Sequence, residues 1–143
     1  MRLQKKTQSK EDAEAKTSVW WDMDHFPVPS GYDAGRIREC IERRLGKLGY
    51  CGPVTISACG DLRKTEENIL RALSSTGIIL NHSYCATTHI YSDLLVWKMR
   101  HPAPVTIMLI TSPGDAFPLL RFSSQAIEGA GDPTLLWIIN GLS

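Results

Sequence analysis

Apolar segments recur along the chain in lengths that suit β-strands. Residues 17–21, Thr-Ser-Val-Trp-Trp, form a short run typical of a buried strand. Residues 54–58 and 78–80 predict two more strands, and residues 105–110 form a continuous apolar run expected at the centre of a parallel sheet. A last apolar segment, residues 134–139, suits either a strand or a helix. These segments are enough to build one sheet.

Helical patterns occupy the intervals between the strands. The first covers residues 33–48, where Asp33 is suited to cap the helix and the apolar residues fall on one stripe. The second begins at Thr65 and closes near Gly77, and the third covers residues 93–100, before a proline-rich break. Strands that alternate with helices predict βαβ units, and therefore an α/β fold with a mostly parallel sheet and helices on both faces.

Composition restricts the class of protein. The chain has 143 residues, which is one ordinary domain, and its 43% hydrophobic and 22% charged residues are typical of globular proteins. Residues 1–16 are polar and predict a flexible tail, so a single domain is expected over residues 17–143, with the part from about residue 118 atypical. No secretory signal or membrane-spanning run is present, which favours an intracellular, cytoplasmic or nuclear location and no membrane partner.

The cysteines and histidines raise a zinc hypothesis. None of the four cysteines belongs to a Cys-x-x-Cys pair, so free thiols are expected. His82, Cys85 and His89 lie close together in the sequence, as zinc ligands often do. A fourth ligand is not evident, which makes structural zinc the weaker interpretation.

Acidic residues follow the predicted strands, at the edge where parallel sheets bind ligands. Asp22 and Asp24 come directly after the first strand, and their side chains point the same way if the backbone stays extended. Asp115 follows the central strand, Asp93 opens the third helix, and Asp61 follows the second strand. Taken singly, Asp93 also suits a helix cap, and Asp61 and Asp115 suit turns. Clustered carboxylates repel unless a cation lies among them, and Mg²⁺ or Mn²⁺ is the usual choice where phosphate esters are cleaved.

Several stretches together resemble the NYN domain, a PIN-like domain. Val19-Trp-Trp-Asp-Met-Asp-His25, followed by Pro27 and Pro29, resembles the opening Trp-Asp-(Ile/Leu)-Glu-Asn-x-x-x-Pro motif of that family. The likeness is greatest to a plant group related to limkain-b and the meiosis regulator and mRNA stability factor. The other stretches that agree with this group are residues 50–61, 72–82, 93–97, 102–104 and 108–110.

The resemblance implies a three-layer PIN-like (Rossmann-like) fold and a metal-dependent endoribonuclease that acts in the regulation of gene expression. Position by position, Asp22 matches the first metal-binding aspartate, and Asp24 stands where the family usually has glutamate. Asp93 matches the acid at the head of the next helix, and Asp115 matches the aspartate after the central strand. These four are therefore the expected catalytic and metal-binding residues, with Mg²⁺ or Mn²⁺ as cofactor. The limkain-b relatives also imply a peroxisomal association.

Departures from the family pattern leave a second interpretation open. His25 replaces the usual asparagine, residues 85–90 replace a Lys-Asp-x-x-Asp stretch, and Pro113-Gly-Asp-Ala-Phe117 has one acid fewer than the family pattern. A catalytically degenerate NYN domain that serves as an RNA-binding or protein-interaction module, alone or as a homodimer, is the alternative. A more distant one is a haloacid-dehalogenase-like phosphatase with Asp22 as nucleophile, although Phe26 stands where that family expects threonine or valine.

Basic residues on the first two helical segments are candidates for RNA contacts, since lysine and arginine bind phosphates. Single-stranded or loop RNA is the expected partner. Trp20 and Tyr91 are candidates to stack on bases, although a strand tryptophan is more often part of the core. The basic candidates are Arg36, Arg43, Arg44, Lys47, Arg63 and Lys64.

Overall fold

The computed structural model describes residues 10–102, 104–111, 126–128 and 136–140. The helices are α1 (Lys10–Glu14), α2 (Ile37–Lys47), α3 (Glu67–Ser75) and α4 (Ala86–Arg100). The strands are β1 (Lys16–Asp22), β2 (Val54–Gly60), β3 (Ile79–His82), β4 (Val105–Ile110), β5 (Ala126–Glu128) and β6 (Leu136–Asn140). Among the described residues, no helix is both long enough and apolar enough to cross a membrane.

The strands form one sheet in the order β3-β2-β1-β4-β6-β5. β3, β2, β1 and β4 are mutually parallel, while β6 is antiparallel to β4 and β5 is antiparallel to β6. From β1 the chain adds β2 and β3 on one side and then β4 on the other, so the strand order reverses between β1 and β4. In open α/β sheets, ligands bind at such a reversal, beyond the carboxyl ends of the strands. Asp22 is the last residue of β1 and lies at this point.

Helices cover both faces of the sheet and produce three layers, as the sequence predicted. On one face, Val19 and Trp21 of β1 pack in a cluster with Leu45 of α2 and Leu73 of α3. On the other face, Trp20, Cys59 and the odd-numbered residues of β4 pack against Ala86, Ile90 and Leu94 of α4. The period of two along β1 therefore decides which helix each residue meets. The α/β fold expected from the sequence is confirmed.

The start of α4 is the main difference from the predicted elements. Helix α4 begins at Ala86, whereas the sequence predicted a helix only from Asp93. Its first turns contain Thr87 and Thr88, which have poor helix propensity. Ala86, Ile90 and Leu94 nevertheless lie four residues apart and are all buried against the sheet, so packing outweighs propensity. Asp93 is therefore in the middle of the helix, and the prediction that it opens the helix is wrong.

Smaller differences occur at other helix starts and at the N-terminal segment. Short 3₁₀ helices precede α2 and α3, and both α-helices begin later than predicted. Asp33 caps the first 3₁₀ helix by accepting a hydrogen bond from Gly35 N at 3.0 Å. Residues 10–16, expected in the tail, form α1 and the start of β1, with Cys51 N donating to Ala13 O at 2.8 Å. The last apolar segment is a strand, and β5 had no sequence signal that we recognised.

Candidate functional site

The carboxylate of Asp22 is completely buried and is held by the turn that follows it. Its exposed fraction is 0%. Asp22 Oδ1 accepts hydrogen bonds from Asp24 N at 3.0 Å and His25 N at 3.2 Å, and Oδ2 lies 2.5 Å from His25 Nδ1. The backbone turns at once, because Phe26 N donates to Asp22 O at 3.0 Å. These contacts replace the water that the carboxylate lost on burial.

Asp24 takes a different direction from Asp22. The two side chains were expected to point the same way if the backbone stayed extended, but β1 ends at Asp22. Asp24 is exposed and lies over the end of β2, where its Oδ1 accepts a hydrogen bond from Asp61 N at 2.9 Å. A Cβ atom added to Gly60 would come within 2.8 Å of that oxygen. The Asp24 carboxylate thus lies against Gly60 and is bound by the backbone of Asp61.

Asp93 approaches the same edge from α4, although it lies within the helix. Asp22 is paired in register with Cys59, and Cys59 packs with the buried residues of α4. Burial and the nearby negative charges of Asp93 and Asp22 raise the pKa of the Cys59 thiol to about 12. The negative charges of both carboxylates therefore act on Cys59. Asp93 Oδ2 lies 3.0 Å from His89 Nε2.

The described part of the chain does not by itself complete a metal site. No three of its histidine, cysteine, aspartate and glutamate side chains are grouped closely enough to hold an ion. Asp115, the fourth predicted ligand, lies outside the described residues. Asp22, Asp24 and Asp93 offer hard oxygen donors of the kind that Mg²⁺ and Mn²⁺ prefer. The residues present fit a divalent cation in their donor chemistry, without a finished coordination geometry.

The residues of the zinc hypothesis contact different neighbours. His82 Nδ1 accepts a hydrogen bond from Leu62 N at 3.1 Å, and Cys85 Sγ lies 3.1 Å from Thr88 Oγ1. His89 approaches Asp93. The described residues therefore give no support to a structural zinc ion.

Asp61 is committed to an ion pair. Its carboxylate accepts two hydrogen bonds from the Arg63 guanidinium, each at 2.9 Å. The bonds from Arg63 lower the pKa of Asp61 to about 2, so the carboxylate stays ionised at any physiological pH. It also accepts a hydrogen bond from Arg63 N and so caps the 3₁₀ helix Leu62–Lys64. We interpret Asp61 as a positioning residue and not as a metal ligand.

The predicted basic residues divide between two places. Helix α2 packs on the face of the sheet opposite to α4, so Arg43, Arg44 and Lys47, together with Arg36 just before that helix, are on the other face from Asp93. Arg43 is also paired with Glu39 at 3.1 Å. Arg63 and Lys64 directly follow β2. They lie beside the acidic edge, by which we mean the edge of the sheet at Asp22, Asp24 and Asp93. Of the six basic candidates, Arg63 and Lys64 are the two that lie near the acidic residues.

The two predicted stacking residues differ in their exposure to solvent. Trp20 is buried and packs edge-on against Trp97, with ring centroids 5.6 Å apart, so it belongs to the core. Tyr91 lies on α4 and is partly exposed. Tyr84, which the sequence did not single out, is the most exposed tyrosine among the described residues. Its local sequence carries no signal, because its neighbours in space come from the segment after β2.

Cys59 is expected to resist alkylation in the folded protein. Iodoacetamide reacts with the thiolate, and burial beside two carboxylates disfavours that form. Cys51 and Cys85 are exposed and should be labelled first. Peptide mass spectrometry after a short treatment at pH 8, with and without denaturant, measures this. Labelling of native Cys59 as fast as Cys51 would contradict the burial described here.

Comparisons with known proteins identify the family to which the chain belongs. The NYN domain family matches residues 16–124. The chain is 26% identical over 99 residues to meiosis regulator and mRNA stability factor 1 of Xenopus tropicalis, and 25% identical over 99 residues to that of Bos taurus. Each match covers 66% of this chain and 6% of the relative, so the chain spans a small part of their length. Because the family match covers most of the chain and all four predicted acids, the chain belongs to the NYN domain family of the PIN-like nuclease superfamily.

Proposed function

We propose that this domain is a metal-dependent endoribonuclease that cleaves single-stranded or loop RNA in the regulation of gene expression. The observation that carries the proposal is the fully buried carboxylate of Asp22 at the point where the strand order reverses. The names of the vertebrate relatives describe them as mRNA stability factors, which supports an RNA substrate. Such a substrate agrees with the intracellular location expected from the sequence.

Asp22, Asp24 and Asp93 would hold the cation, together with Asp115. Asp24 Oδ1 accepts a hydrogen bond from Asp61 N, and Asp93 Oδ2 lies beside His89 Nε2, so the second oxygen of each carboxylate would be the donor atom for an ion. Asp22 Oδ2 is approached by the His25 ring, whose side chain is 54% exposed. A cation bound at this oxygen would compete with the His25 ring.

The chemistry needs an activated water and a stabilised leaving group. A bound Mg²⁺ or Mn²⁺ lowers the pKa of a coordinated water and neutralises the leaving oxygen. Lys64, which follows β2 and is exposed, would attract the phosphate backbone toward the acids. The buried position of Asp22 orients its carboxylate before any ligand arrives, which lowers the cost of assembling the site.

The test is cleavage of an end-labelled single-stranded RNA with Mg²⁺, Mn²⁺ or EDTA. We expect internal cuts with either metal, no cuts in EDTA, and recovery when metal is added in excess. RNA binding without cuts in either metal would favour the degenerate domain instead. The observation that favours this second candidate is that the described residues group no three metal-binding side chains.

Gly60→Ala is expected to lower the cleavage rate without unfolding the domain. The added methyl group would push on the tip of Asp24, which is a movable side chain, and so displace a proposed ligand. A displacement of this size typically costs about tenfold to a hundredfold in rate. Gly46→Ala is the matched control, since a Cβ there meets nothing within 4 Å. Equal rates for both variants would contradict a role for Asp24; thermal melting verifies that both are folded.

A further inference from the structure

Beyond the end of β3, three side chains form an exposed surface that we call the aromatic shelf: Tyr84, His82 and Arg63. The Tyr84 side chain is 76% exposed. The His82 ring packs against it edge-on, with centroids 5.1 Å apart and planes at 77°. The Arg63 guanidinium carbon lies 4.9 Å from the centre of the tyrosine ring. A large ring that is exposed to this extent leaves aromatic surface available to a ligand.

Hydrogen bonds hold the residues of the aromatic shelf in place. Arg63 is fixed by its two hydrogen bonds to Asp61, and His82 by the bond that its Nδ1 accepts from Leu62 N. The backbone on either side of Tyr84 is also tied down, because Ser83 N donates to Gly60 O at 2.9 Å and Cys85 N donates to Ser83 Oγ at 3.1 Å. A ligand that meets this surface therefore finds it largely ordered, which reduces the entropy lost on binding.

The aromatic shelf is connected directly to the acidic edge. Asp24 Oδ1 accepts a hydrogen bond from Asp61 N, and the Asp61 side chain binds Arg63, which lies over Tyr84. Lys64 is next in sequence and exposed. An exposed aromatic ring with a guanidinium over one face and an ammonium group nearby suits a nucleotide, since a base can stack on the other face while the cations attract its phosphates.

We propose that Tyr84 stacks on an unpaired base of single-stranded RNA and thereby directs the adjacent phosphodiester toward Asp22 and Asp24. The positioning of the phosphodiester rests on the proposed function, whereas the stacking does not require cleavage. Bases in a duplex are stacked on one another and offer no free face, so the aromatic shelf selects single strands.

The test measures binding in EDTA, where cleavage cannot occur, by fluorescence anisotropy of a short labelled oligouridine. Tyr84→Ala is expected to raise the Kd about tenfold, in the range found for loss of one stacked base. Tyr84→Phe keeps the ring and should bind within about twofold of the wild type. Tyr32→Ala is the control, because Tyr32 is also an exposed tyrosine but contacts Cys40. A duplex of the same length should bind equally to the wild type and Tyr84→Ala.

The outcomes separate this inference from the proposed function. Oligouridine binding by Tyr84→Ala at wild-type strength, or an equal loss in Tyr84→Phe, would overturn stacking and leave the surface for a protein partner. A loss confined to Tyr84→Ala supports stacking even if the wild type cuts no RNA in Mg²⁺ or Mn²⁺, in which case the proposed function alone fails. Circular dichroism melts establish that the exposed substitution leaves the fold intact.

Discussion

Asp22→Asn is expected to abolish metal-dependent RNA cleavage and to leave the domain folded. Asparagine has the same size, and its carbonyl oxygen can still accept the hydrogen bonds from Asp24 N and His25 N. The substitution removes the negative charge that a cation needs. Loss of a residue that merely supports a ligand costs about 10- to 100-fold, so loss of the ligand itself should reduce the rate at least about 100-fold. Initial rates with a labelled RNA at saturating Mn²⁺ measure the effect.

Asp33→Asn is the matched control for this change. Asp33 is exposed and caps the 3₁₀ helix before α2, a role that asparagine performs equally well. Its variant should cut RNA at the wild-type rate. If Asp22→Asn kept the wild-type rate as well, Asp22 would have no part in catalysis, and its burial would have to be explained by folding alone.

Trp21→Ala is expected to cost about 3–5 kcal/mol in the free energy of unfolding. Trp21 is 5% exposed and packs in the cluster between the sheet and helices α2 and α3. Its Nε1 donates a hydrogen bond to Phe26 O at 2.7 Å, so the substitution leaves both a cavity and an unpaired carbonyl. Against a total of about 5–15 kcal/mol for a typical domain, this loss is large. Urea denaturation followed by circular dichroism measures it.

Trp21→Phe separates packing from the hydrogen bond. Phenylalanine fills much of the same space but cannot donate to Phe26 O, so about 1 kcal/mol should be lost with that bond. The bond also anchors the turn that carries Asp22 and Asp24. In Trp21→Phe, the relative loss in the RNA cleavage rate should therefore exceed the relative loss in the free energy of unfolding. If Trp21→Ala cost no more than Trp21→Phe, the tight packing of the indole described here would be wrong.

The parts of the fold that could be predicted are those determined by residues close together in the sequence. Val105–Ile110 is a run of six apolar or β-branched residues, and its bounds as β4 agree with the prediction. Asp33 was predictable as a cap, because aspartate is among the residues preferred immediately before a helix. The position of Asp22 at the end of β1 and at the carboxyl edge of the sheet followed from the same reasoning about strands and edges.

The features that could not be predicted depend on contacts between segments that are far apart in the sequence. The start of α4 is set by the burial of Ala86 and Ile90 against the sheet, which outweighs the weak helix propensity of the threonines between them. The side chains of Asp22 and Asp24 point in different directions because the backbone turns where Phe26 N donates to Asp22 O. Asp24 then accepts a hydrogen bond from Asp61 N. Tyr84 is in contact with Arg63, which lies on another loop. No local pattern of residues encodes such pairings.

The central claim, that the acidic edge holds a divalent cation, is tested most directly by Mn²⁺ binding without RNA. Electron paramagnetic resonance detects free Mn²⁺, so titration of the wild type and of Asp22→Asn compares their binding at one site. We predict that the wild type removes Mn²⁺ from the free signal with saturation and that Asp22→Asn does so at least about 10-fold more weakly. Equal titration curves for the two proteins would contradict the claim.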